Sequence, residues 1–168
     1  SAERTPENPR GIDDLLWAAL LEESLDQDRL SIALALPPGG DDPTPAAPLH
    51  EQQDTESLEV WTERELSALH ALLWLTIRHP HQRWRERLHT CARWHLEYTQ
   101  PDNATNRPWA AHLFLVLAHE DDDADARLYA ETLVHNCMVS MGRPDALSAE
   151  ILADASEALR AAAQRASH

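Results

Sequence analysis

Cys91 and His95 stand four residues apart in a stretch of helical period, so one helix face carries a thiol and an imidazole together. Both are donors that zinc favours, and Cys137 with either His70 or His112 from adjacent helices would complete a tetrahedral set. The competing reading is packing: small cysteines fit helix interfaces, and no close Cys-x-x-Cys or His-x-x-x-His pair reinforces the metal. Cys91 with His95, or Cys137 with His112, would also make a nucleophilic pair. That chemistry needs a thiol of lowered pKa at an open cleft, which no sequence feature marks. Acid and base chemistry has its own pair, Asp102 in the polar segment 99–109 and His112 one turn inside the helix that follows. Asn103, Asn106 and Trp109 are the ligand-binding candidates beside them, because loops carry binding groups disproportionately. The same Asp and Asn residues equally serve as turn formers and helix caps. Six tryptophans (Trp17, Trp61, Trp74, Trp84, Trp94 and Trp109) offer either a stacking platform for a sugar or an isoprenoid, or core anchors.

These groups must be positioned by helices. A first amphipathic stretch runs from Ile12 to about Leu30, and the proline-rich segment 37–58 that follows reads as a linker. Thr62 with Glu65 has the spacing of a capping box and Trp61 with Leu66 that of a hydrophobic staple, which predicts a helix starting at that point and running to about His79. Further helices are expected over about 82–99, 106–119, 123–141 and 145–165. The acidic run Glu120 to Asp123 stands where the fourth of these five helices begins, as a capping element rather than a cation site. The expected fold is all-α, antiparallel helical hairpins of about six helices in an arc or bundle. It divides into an acidic N-terminal arm (1–36), the linker (37–58) and a helical domain (59–168).

The 168 residues carry a formal charge of −15, from 29 acidic side chains against 14 basic ones, and every basic residue is Arg. That balance disfavours nucleic acid, which needs a basic stripe to displace counterions. The short cluster Arg83, Arg85, Arg87 and Arg93 reads as a solvated helix face. No apolar run reaches the ~18 residues of a membrane span, and residues 1–4 resemble no secretion signal. The expectation is a soluble cytoplasmic protein with two reduced, buried cysteines.

A weak internal repeat accompanies the helices. Residues 68–75 align with 110–117 at an offset of 42, and 88–91 with 134–137 at an offset of 46. Hairpins of this length over 61–166 resemble those of HEAT-type solenoids and of the α/α toroids of terpenoid cyclases, prenyltransferases and several carbohydrate-active enzymes. The toroid resemblance implies an enzyme on a carbohydrate or isoprenoid-like substrate, with Asp102 and His112 as acid and base and Trp109 as platform. The acidic cyclase motif and repeated Gln-Trp signatures of those families are missing. The reading favoured is a binding or assembly domain that meets a protein partner, or a second copy of itself, through the N-terminal arm. A zinc-stabilised bundle using Cys91, His95 and Cys137 is the third alternative.

Overall fold

The amphipathic stretches become helices in the computed structural model, which describes residues 11–21, 26–36, 43–52, 55–101, 105–139, 142 and 145–166. Among these residues all regular structure is helical: α1 (Ile12–Leu21), α2 (Gln27–Ala33), α3 (Leu58–Arg78), α4 (Gln82–Tyr98), α5 (Ala111–Glu120), α6 (Ala124–Val139) and α7 (Ala146–Ala166). The fold is all-α, with one helix more than expected because the stretch from Ile12 to Leu30 is two helices. Asp26 sits in extended backbone and its carboxylate accepts the Arg29 N–H at 2.9 Å, so a new helix begins there.

The expected start of α3 is corrected. Ser57 is its N-cap, extended at φ −67° and ψ 148°, with its hydroxyl accepting the Val60 N–H at 3.4 Å. Thr62 and Glu65 lie a turn or more inside the helix and are fully buried, so the pair is no capping box. The acidic run does cap: Asp123 Oδ1 accepts from Asp125 N at 2.9 Å and Ala126 N at 3.0 Å at the start of α6. Asp145 does the same for α7 through Ser148 N at 2.7 Å. Ahead of α5, Ala110 takes the left-handed conformation at φ 56°, a cost of about 1 kcal/mol for a residue with a Cβ. That kink aims its N–H at His70, as described below.

Helix α5 packs along α6, α1 along α3, and α3 against α4, while α7 covers α5 and part of α3. Their apolar stripes meet in one core that holds Leu69 and Leu72 of α3, Trp84 and Leu88 of α4, Leu113 and Phe114 of α5, and Leu133 of α6. Leu16 of α1 and Leu30 and Leu34 at α2 belong to the same core. Burying one such side chain is worth about 1.5–3 kcal/mol, so the helices of the arm are fastened in place on their own chain.

Arg87 is not on a solvated face. It is buried, and its guanidinium donates to the carbonyls of Leu34 (3.2 Å), Pro45 (3.2 Å), Ala47 (2.6 Å) and Pro48 (2.7 Å). A planar fork of five donors suits this task, and it ties the end of α2 and residues 43–50 onto α4. Arg85 and Arg93 are exposed and pair with Glu120 and Asp121. No helix among the described residues is long and apolar enough to cross a membrane.

Candidate functional site

His70 and Trp74 are one turn apart on α3, and both reach one carboxylate of α7. His70 Nε2 is 2.6 Å from Asp154 Oδ2, and the Trp74 indole N–H donates to the same oxygen at 2.5 Å. On the other side of the ring the Ala110 N–H donates to His70 Nδ1 at 3.3 Å. That bond fixes the tautomer: Nδ1 is an acceptor, so Nε2 carries the proton and donates it to Asp154. Trp17 of α1 stacks over His70 with centroids 6.0 Å apart, held by its own N–H donating to Ser67 Oγ at 3.0 Å. Trp109, in the turn before α5, meets His70 edge-on at 5.4 Å and Trp17 at 5.8 Å.

Trp17, Trp74 and Trp109 thereby wall a cavity of about 380 Å³, with Asp154 and Glu150 as its acidic groups. Partial burial works to raise the Asp154 carboxyl, but the hydrogen bonds from His70 and Trp74 outweigh it and hold it below its usual value. A guanidinium already tests one wall: Arg78 sits 5.5 Å above the Trp74 ring while donating to the Leu20 carbonyl at 3.0 Å. The π faces and the ionised carboxylate attract a cation, and Arg78, which also lines the cavity, opposes them.

His112 packs against His70 with ring centroids 4.4 Å apart and is fully buried, with no hydrogen bond to either nitrogen. Burial and the neighbouring His70 push its pKa down to about 3, against a weaker pull from Asp154. It lines a second cavity of about 640 Å³, along with Arg85 and His89. At neutral pH its imidazole is uncharged and has no carboxylate to orient it, so it is poorly placed as an acid or base. Asp102 and Asn103, its expected neighbours, lie outside the described residues. Asn106 is exposed and lines a third cavity of about 340 Å³ with Cys137 and Ser148. Of the loop candidates, Trp109 alone among the described residues reaches the tryptophan-walled cavity.

A separate polar cluster is buried between α3 and α4. Glu65 receives the Leu49 N–H at Oε1, and at Oε2 the His50 N–H (2.9 Å) and His50 Nδ1 (2.5 Å). His50 Nε2 is 3.1 Å from Asp13 of α1, which lies 3.5 Å from Arg64. Charges therefore alternate from Arg64 through Asp13 and His50 to Glu65. Burial alone would raise the Glu65 carboxyl, but the His50 and His95 imidazoles and the Leu49 amide bring it down to about 2. Burial likewise depresses His50, yet Glu65 and Asp13 together raise it above its usual value.

Cys91 Sγ and His95 Nε2 each lie 3.5 Å from Glu65 Oε1, and all three side chains are fully buried. Burial, with Glu65 beside it, pushes the Cys91 thiol well up, the reverse of what a nucleophile needs. The structure thus brings Cys91 and His95 together as their spacing suggests but places Cys137 elsewhere, against α7. Both thiols are free. Glu65, His50 and Asp154 went unread in the sequence: Glu65 because it fits a cap, His50 because it lies among prolines, Asp154 because it sits in an alanine-rich helix. The one available signal was His70 with Trp74 at a spacing of four, two ring N–H donors on a single helix face.

Compared with known proteins, the chain matches no family model, no curated protein and no solved structure.

Proposed function

We propose that this chain is a binding domain rather than an enzyme, and that its ligand presents an alkylammonium-type cation to the cavity walled by Trp17, Trp74 and Trp109. The observation that carries this reading is the convergence of three indoles and the ionised Asp154 on one cavity of about 380 Å³, within the size range of small-ligand sites. Its walls come from four parts of the chain, so a bound cation would rest on α1, α3, the turn before α5 and α7 at once. The enzymatic alternative draws less support. His70 has its second nitrogen taken by the Ala110 amide, and His112 stays neutral down to a pH of about 3. With a pKa of about 3, His112 is too weak a base, and too little protonated as an acid, to serve well near neutral pH.

The cation's source is either a small quaternary amine or a methylated lysine of a partner protein. Calorimetric titration of the full chain with choline, with a trimethyl-lysine peptide and with 3,3-dimethylbutanol, the neutral isostere of choline, separates the cases. Binding of both cations, or of one, with the neutral isostere at least about tenfold weaker, is the expected outcome; Trp109→Ala and Asp154→Asn should each lower affinity several-fold, in line with about 0.5–2 kcal/mol per cation–π contact. Equal binding of the isostere would remove the reading.

Self-association through the arm is a second reading. It draws on Leu21 of α1 and Ile32 of α2, apolar side chains that are 82% and 78% exposed.

A further inference from the structure

We propose that Glu65 Oε1, Cys91 Sγ and His95 Nε2 are the ligands of a zinc site that joins α3 to α4. The site is separate from the tryptophan-walled cavity and owes nothing to it. A zinc ion with bonds of about 2.0 Å to oxygen, 2.0–2.1 Å to nitrogen and 2.3 Å to sulfur sets tetrahedral ligand atoms about 3.3–3.5 Å apart. Glu65 Oε1 lies 3.5 Å from Cys91 Sγ and 3.5 Å from His95 Nε2, and the three atoms fall within 4.8 Å of one another. Two of the three edges thus match a tetrahedral zinc set, and the third, from Cys91 Sγ to His95 Nε2, is no longer than 4.8 Å.

The hydrogen bonds around His95 supply an independent argument. Thr99 Oγ1 has one proton and gives it to the His95 carbonyl at 2.9 Å. Its lone pairs then accept, from the Tyr129 hydroxyl at 2.7 Å and from His95 Nδ1–H at 3.2 Å. With Nδ1 anchored on Thr99, the ring turns Nε2 toward Glu65 Oε1, 3.5 Å away. Nε2 makes no hydrogen bond although it is fully buried. A ring nitrogen aimed at a site, with the opposite N–H anchored by a second residue, is the arrangement of a metal-ligating histidine.

The two oxygens of Glu65 offer about four acceptor positions. Oε2 takes two donors from His50, and Oε1 takes the Leu49 amide and the Cys91 thiol, so a metal at Oε1 would take the place of the thiol proton. Zinc there would displace the Cys91 thiol proton to solvent and form a thiolate, which with the Glu65 carboxylate would balance the two positive charges of the ion. Among the described residues the cluster supplies three ligands, so the fourth position falls to a water or small anion. Full burial of the donors closes the site to a substrate, and its role is to hold two helices together.

The test uses the full chain, treated with chelator and titrated with Co²⁺ and Zn²⁺. Expected are a thiolate-to-cobalt charge-transfer band with the strong visible absorption of four-coordination, saturating at one metal per chain, and a Zn²⁺-dependent rise in melting temperature of about 5 °C or more. Cys91→Ser should lose the charge-transfer band and Glu65→Gln should weaken the metal at least tenfold, with folding checked by circular dichroism. Should either variant fail to fold, the titration of the unaltered chain still decides. Absence of the thiolate band in folded, unaltered protein, with His95 found by ¹⁵N NMR as an imidazolium donating to Glu65, would overturn the proposal and make the cluster an internal ion pair.

Discussion

His112 shows how a single buried residue sets the response of the fold to acid. Its unfolded value near 6.5 drops to about 3 in the folded chain because burial and His70 disfavour its charge. Between those values the unfolded chain binds a proton that the folded chain refuses, so stability falls as pH falls from about 6.5 toward 3. The full shift corresponds to a loss of the order of 5 kcal/mol, at about 1.4 kcal/mol per pH unit. Glu65 adds a loss of the same sign only below 4.5, its ordinary value, as pH descends toward about 2. His112→Leu keeps the volume and removes two nitrogens that lack partners, so its stability at pH 7 should match or exceed that of the parent. Urea midpoints measured between pH 6.5 and 4.5 should fall steeply for the parent and much less for the variant. Parallel slopes would show that His112 is not the group responsible. The candidate residues were legible where chemistry and spacing coincide, as for Cys91 and His95 on one face of α4. They were illegible where a partner arrives from a distant segment, as His50 does for Glu65 across a stretch of prolines.

At the scale of the element, helix α3 records two claims on the same residues. Thr62 and Glu65 satisfy the pattern of a helix start, yet Ser57, five residues before Thr62, does the capping and the pair is drawn into the core. Local pattern lost to tertiary demand: Trp61 donates to the His50 carbonyl at 3.2 Å and Glu65 binds residues 49 and 50, so the helix must extend past them to carry both inward. The two assignments predict opposite results for one pair of variants. Ser57→Ala should cost about 0.5–1 kcal/mol, the lower half of the usual range because its bond is long at 3.4 Å. Thr62→Val removes a buried hydroxyl that makes no hydrogen bond and should be neutral or stabilising. A loss of about 1 kcal/mol or more from Thr62→Val, with Ser57→Ala silent, would restore the cap to Thr62. The remaining helices were read within a few residues of their bounds, since apolar period, Asp123 and Asp145 mark them, except that α5, expected from about residue 106, starts at Ala111. The break between α1 and α2 falls at Asp26, in a polar stretch that carries no proline or glycine to mark it.

For the whole molecule, the same charge that suits a cation in the tryptophan-walled cavity opposes the meeting of two copies. Each chain carries −15, with 14 of its 29 acidic residues in the first 60 positions against three arginines. An arm-to-arm interface would therefore set like charges face to face, and apolar contact through Leu21 and Ile32 has to exceed that repulsion. Salt changes only one side of the contest: the screening length shrinks from about 10 Å at 0.1 M to about 3 Å at 1 M while apolar burial persists. If the arm joins two copies, the mass by light scattering should rise from one chain toward two as salt increases at constant protein concentration. Leu21→Glu with Ile32→Glu should stay at one chain throughout. A parent mass that ignores salt and matches the variant would remove self-association. The arm would then serve its own chain, with Leu16 in the core and Trp17 as a wall of the cation cavity.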